Sequence, residues 1–143
     1  MGVVLFALQI ILFLVLFLLS NLYSLLSVPI LLLLLFLGFT IGGMGVAHIG
    51  RASYSPFPKP TKKNILSRRG IYKHIRHPMY AGLMLVGLAL LLSRFTPLAL
   101  VFFLLFAVTT FTKAKLEEKL MEQLHPKYRN YKRQVKMFIP YLY

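Results

Sequence analysis

Two short stretches hold most of the residues able to do chemistry. Residues 70–82 read GIYKHIRHPMYAG and crowd Tyr72, Arg76, His77 and Tyr80 against a long apolar run. Residues 115–120 read KLEEKL, and Glu117, Glu118 and Glu122 are the only acids in the chain. Taken singly, each residue has a plain explanation. Arg76 suits an anchor of a membrane helix, His77 a substitute N-cap, Pro78 the first helical position and Tyr80 an interfacial belt. The acids suit partners such as Lys115 and Lys119 on a basic helix. The joint pattern is left over. Adjacent Glu117 and Glu118 point to different helix faces, and Glu118 and Glu122 repel at i,i+4, whereas a solubilising helix would spread its acids. The spacing G-x-Y-x-x-x-R-H-P-x-Y-x-G, with an acid pair on a second helix, suggests two halves of one polar site. Metal chemistry is not expected: the chain has no Cys, and its four His follow no ligand-like spacing.

The elements that must position these residues belong in lipid. The 143 residues are 58% hydrophobic with mean hydropathy +0.73, against an apolar share of about 45–50% in soluble domains. Apolar runs at 3–19, 29–47, 78–92 and 97–112 approach the roughly 20 residues a membrane span needs, the third being short. They predict an all-α polytopic protein with four transmembrane helices in one domain, 1–143. The first run has no basic n-region and no small-x-small cleavage site, so it is expected to be a retained helix.

A net charge of +14 in a soluble protein would suggest nucleic acid. Here the charges sort by segment. Eight of the 17 Lys and Arg lie between the second and third runs, eight follow the fourth, and Arg94 alone lies elsewhere. That asymmetry places segments 48–77 and 113–143, and both termini, in the cytoplasm, and no nucleic-acid partner is expected. The SRFT turn at 93–96 is short enough only for an antiparallel hairpin. Counted from it, His77 and Glu117 emerge at the same end, with Glu117 about 6 Å further out, a gap that a small polar ligand would bridge.

Further expectations follow along the chain. SNLYSLLS at 20–27 reads as a polar-flecked connection, and Gly38 and Gly42 as a small-xxx-small contact for a neighbouring helix. Residues 51–70 read as an irregular basic loop suited to anionic headgroups. Residues 113–134 read as amphipathic helix, with Leu116, Leu120 and Leu124 on one face, and the tail VKMFIPYLY is expected to fold back at the interface.

GIYKHIRHPMYAG, followed by KLEEKL, KYRNYKRQV and FIP, resembles the isoprenylcysteine carboxyl methyltransferase and phospholipid methyltransferase superfamily over about residues 65–140. The resemblance implies an integral membrane methyltransferase. S-adenosylmethionine would bind between the last two membrane helices and the C-terminal segment, and a lipophilic acceptor would arrive from the bilayer. The residue types suit that cofactor: Glu117 or Glu118 for its ammonium or ribose, backbone N–H groups near Arg76 and His77 for its carboxylate, and Tyr72, His77 and Tyr80 for hydrogen bonds or adenine packing. Arg76 is expected to orient the acceptor, with Arg133 a second candidate. The chain departs from the family pattern at Ile71, at Gln134 (where carboxyl-methylating relatives tend to carry Arg) and at Lys136. The last two put the acceptor, more than the cofactor, in question. The alternatives are an amine-headgroup phospholipid N-methyltransferase and a non-catalytic membrane scaffold subunit.

Overall fold

A computed structural model describes residues 1–49 and 68–139. The apolar runs become the helices α1 (Gly2–Leu19), α3 (Pro29–Ile49), α4 (Pro78–Ser93) and α5 (Pro97–Leu124); the short helix α2 (Leu22–Ser27) lies between α1 and α3, a 3-10 turn at Gly70–Lys73 precedes α4, and a short helix α6 (Tyr128–Gln134) follows α5. Pro opens α3, α4 and α5, where its missing N–H costs nothing. Thr96 caps α5 by accepting from the Ala99 N–H at 3.1 Å. The expected plain connection at 20–27 instead holds α2, because the Asn21 side chain accepts from the Ser24 N–H and starts a turn of helix.

The helices alternate in direction. Gln9 meets Thr110 and Phe13 meets Phe106, so α1 and α5 run antiparallel. Gly45 lies against Pro78 and Met79, and Gly38 against Gly82 and Val86, so α3 and α4 do too. The crossing is close enough that a Cβ on Gly82 would stand 2.4 Å from the Gly38 carbonyl oxygen. Of the expected small-residue pair, Gly38 faces the contact directly. A Cβ on Gly42 would meet nothing within 4 Å, although the Gly42 backbone itself lies against Gly82. Leu12, Leu16, Leu25, Leu31, Val86, Ala89, Leu90 and Phe106 form the apolar core.

α1, α3 and α5 are long and apolar enough to cross a membrane. α4 has 16 residues, about 24 Å of helix against a hydrocarbon thickness of roughly 30 Å. The whole is an all-α polytopic membrane architecture.

One boundary differs from expectation. The helix that begins at Pro97 does not hand over to a separate amphipathic helix near residue 113; it continues unbroken to Leu124. The stop lies at His125, which is extended (φ −126°, ψ 97°) because Pro126 follows. The buried side of this polar extension is also not the leucine stripe. Lys113, Ala114 and Glu118 are buried, while Leu124 is 46% exposed. The reason is that α6 and the tail return over the polar side. Tyr128, Tyr131 and Val135 pack there with Met121. As expected, the described part of the tail folds back: Lys136 bridges Ile75 in parallel register. The basic loop expected at 51–70 lies, but for its last three residues, outside the described residues, as does the tail beyond Ile139.

Candidate active site

The antiparallel arrangement brings the start of α4 and the polar extension of α5 to the same end of the bundle, and there the two halves of the motif meet. His77 Nε2 lies 3.3 Å from Glu118 Oε1, and His77 Nδ1 lies 3.9 Å from Glu117 Oε2. The Tyr80 hydroxyl donates to Glu117 Oε1. The gap expected between His77 and Glu117 is therefore closed by side-chain contact. His77 and Tyr80 stack at 5.6 Å between ring centroids. His77 Nε2 is buried yet finds no well-aligned hydrogen-bond partner among the described residues.

Because consecutive residues on a helix diverge by about 100°, the two carboxylates look in different directions and are held differently. Glu118 receives Arg76 Nε at 2.6 Å and Lys132 Nζ at 3.0 Å. Burial pushes its carboxyl up, but the contacts from His77, Arg76 and Lys132 outweigh burial and hold it at about 2. Glu117, on the side of Tyr80, is pushed above the ordinary carboxylate range by burial, against the pull of His77, the Tyr80 hydroxyl and Lys113. Glu122, one turn beyond Glu118, shares Lys132 with it at 3.0 Å. This explains how acids that repel one another sit side by side: their direct partners come chiefly from Arg76, His77 and Tyr80 at the start of α4 and from Lys132 of α6.

Arg76 occupies a different place from the one its position at the membrane border suggests. Besides Glu118, its guanidinium donates through Nη1 to the carbonyls of Lys132, at 3.0 Å, and Val135. Its side chain is 9% exposed. The backbone N–H groups of Arg76 and His77, expected to face a ligand carboxylate, instead donate to the carbonyls of Lys136 (2.8 Å) and Met137 (3.0 Å). Arg76 and this backbone together strap the C-terminal segment onto α5, and Phe138 comes to rest 6.0 Å from the His77 ring.

Tyr72 is likewise structural in its contacts. Its hydroxyl donates to the Gly45 carbonyl at 3.2 Å, and its own carbonyl accepts from the Tyr131 hydroxyl at 2.6 Å. Burial pushes both phenols up, that of Tyr131 to about 12. Arg133 lies exposed on α6, apart from the cluster, with no hydrogen bond or ion pair to the described residues.

Between the strap and α5 opens a groove of about 610 Å³. Its lining includes Glu118, Glu122, Arg76, Lys115, Lys132 and Lys136. A groove with both carboxylates and cations suits a zwitterion, and His77 Nε2 lies 3.3 Å from Glu118, one of its lining residues. Residue types thus fit an amino-acid end of a cofactor. Lys132 and the carbonyls of Val135, Lys136 and Met137 were not foreseen from sequence; only the density of Lys and Arg in 127–136 hinted at partners for the acids.

Comparison with known proteins identifies the family. The model of the isoprenylcysteine carboxyl methyltransferase (ICMT) family matches residues 31–123, which take in α4 and nearly all of α3 and α5. Methanethiol S-methyltransferase of Crocosphaera subtropica (strain ATCC 51142 / BH68) is 42% identical over 76 residues, 50% of this chain. That stretch is 28% of the relative's own length. No solved structure matches. With the matched region covering well over half of the chain, and with the R-H-P and E-E residues inside it, the chain belongs to the isoprenylcysteine carboxyl methyltransferase family.

Proposed function

We propose that this protein is an S-adenosylmethionine-dependent methyltransferase acting on a lipophilic acceptor at the cytoplasmic membrane face. The observation that carries the reading is the contact of His77 and Tyr80 with the Glu117–Glu118 pair at the mouth of the bundle, roofed by the C-terminal strap. Glu118, ionised and oriented by Arg76 and Lys132, offers a fixed negative charge to the cofactor's ammonium, and the groove lysines suit its carboxylate. Glu117, Tyr80 and His77 lie on the side toward the membrane core, where they bind and align. When bound, the cofactor supplies an electrophilic methyl group. The protein's own part is to hold acceptor and donor in line and to keep water out. Phe138, 6.2 Å from the Phe111 ring and 6.0 Å from the His77 ring, puts an apolar face beside the cluster.

Arg76, placed among backbone carbonyls, acts as a positioning residue that holds Glu118 and the strap. Arg133 and Tyr72 have lesser claims, the first being exposed and the second committed to Gly45. The family relation favours a carboxylate acceptor, and the similarity to a methanethiol S-methyltransferase favours a thiol as the second reading. The test is methyl transfer from labelled S-adenosylmethionine by the purified protein in lipid, offered N-acetyl-S-farnesylcysteine, methanethiol or phosphatidylethanolamine. Labelled product with the first or second supports the reading. No transfer to any of the three, together with no binding of S-adenosylhomocysteine, would overturn it in favour of a scaffold role.

A further inference from the structure

One buried charge beside the cluster has been given no role in binding so far. Lys113 lies where α5 leaves its apolar run and is 2% exposed. Lysines near the end of a membrane helix ordinarily snorkel their ammonium to water. Lys113 does the opposite. Its Nζ donates to Gln9 Oε1 at 3.1 Å, and Gln9 Nε2 in turn donates to the Thr110 hydroxyl at 3.0 Å, a turn nearer the middle of α5. Gln9 is the only polar side chain in the apolar run of α1, and α1 lies outside the region that the family model matches.

Two ring faces lie against it, Phe6 at 4.6 Å and Tyr80 at 5.1 Å from Nζ, and the Glu117 carboxylate one turn on attracts it without a direct hydrogen bond. Aromatic faces favour a cation without accepting its N–H groups in full hydrogen bonds. An ammonium has three donors, and among the described residues Gln9 is the one hydrogen-bond acceptor for them. Burying a charge so incompletely compensated is costly, and ionisable groups kept at membrane depth mark ligand paths.

The location gives the charge a use. Tyr80, whose ring Lys113 touches, donates to Glu117, the carboxylate that faces away from the groove. The Glu117 side chain keeps 22% of its surface exposed, so this side of the cluster is open at its rim.

We infer that Lys113, held by Gln9 and by the rings of Phe6 and Tyr80, binds the methyl acceptor as an anion, a thiolate or a carboxylate, on the Glu117 side of the cluster. The inference rests on the methyl-transfer reading and names its acceptor class. A weak acid that loses its proton to water on binding gains the ammonium as its counter-charge, whereas an amine headgroup meets a cation of its own sign. Helix α1 thereby becomes part of the acceptor site.

The test uses the full chain in lipid nanodiscs as wild type, Lys113→Met, Lys113→Arg and Gln9→Leu. S-adenosylhomocysteine binding is measured beside initial rates with N-acetyl-S-farnesylcysteine (the carboxylate), methanethiol (the thiol) and phosphatidylethanolamine (the amine). The expected result is a KM for the anionic acceptor raised tenfold or more in Lys113→Met and about threefold in Gln9→Leu. Lys113→Arg should return to within threefold of wild type, and S-adenosylhomocysteine affinity should stay within threefold throughout, which also shows that the variants fold. An unchanged KM in Lys113→Met, an equal fall in cofactor affinity, or a wild type that methylates only the amine would each overturn the inference while leaving methyl transfer in place. A wild type that neither binds S-adenosylhomocysteine nor transfers methyl would remove the methyl-transfer reading itself.

Discussion

Glu118 concentrates the electrostatics of the site. It meets a guanidinium from the 3-10 turn–α4 junction, an imidazole from the start of α4 and an ammonium from α6. Three elements therefore depend on one carboxylate, which is 3% exposed. Removing one partner of a buried ion pair typically costs about 3–5 kcal/mol, so Glu118→Gln is expected to lower stability by roughly the smaller of these values. Its pH dependence follows from a folded-state value of about 2 against an ordinary 4.5. A depressed carboxyl contributes stability that is fully present above the unfolded value and is lost as pH falls toward the folded one. Thermal melts of wild type and Glu118→Gln should therefore differ by a constant amount from pH 5 to pH 8 and converge between about pH 4 and pH 2. A gap that persists unchanged at pH 2.5 would show that the substitution acts through packing alone.

At the scale of elements, the bundle is set by how closely α3 and α4 approach. A Cβ on Gly82 would stand 2.4 Å from the Gly38 carbonyl oxygen and 2.7 Å from the Gly42 nitrogen, both of them backbone atoms that cannot swing aside. Gly82→Ala is expected to destabilise the protein by about 1–3 kcal/mol, the usual cost of overpacking. Gly43→Ala, whose Cβ meets nothing within 4 Å, is expected to be neutral or to stabilise by up to about 1 kcal/mol through helix propensity. Melting temperatures in one detergent compare the two directly, and equal losses would refute the close crossing.

The helices themselves were legible because apolar runs, opening prolines and the SRFT turn are all local signals. The R-H-P and E-E groups were legible because residue type and spacing mark them. The strap was not. The carbonyls of Lys132 and Val135 that accept from Arg76 are backbone groups without a residue signature, and they lie 56 and 59 positions away. The same arginine would suit a headgroup anchor or a clamp, and only the return of the tail decides between them. Gln9 did carry a signal, as a lone polar side chain in an apolar run, but its partner Lys113 looked like one more border lysine.

For the whole molecule, the antiparallel helices put the N-terminal end of α1, the start of α4 and the C-terminal segment at one end of the bundle, and the 93–96 turn at the other. On the proposed reading, positive-inside sorting of the two basic segments puts the first end in the cytoplasm. Accessibility tags at residue 60 and after residue 143 should both report the cytoplasm, and one at residue 95 should report the opposite side. A tag at residue 60 on the far side would invert the site with respect to the membrane.

The central claim is that the cluster at this end holds S-adenosylmethionine, and binding tests it most directly because binding does not depend on knowing the acceptor. Calorimetric titration of S-adenosylhomocysteine into the purified protein in nanodiscs should give saturable one-site binding. Glu117→Gln and Glu118→Gln are measured separately, and at least one should weaken binding by about 10- to 150-fold, the loss of one charge-assisted hydrogen bond of roughly 1.5–3 kcal/mol. Absence of saturable binding by the wild type, or wild-type affinity in both variants, would contradict the account.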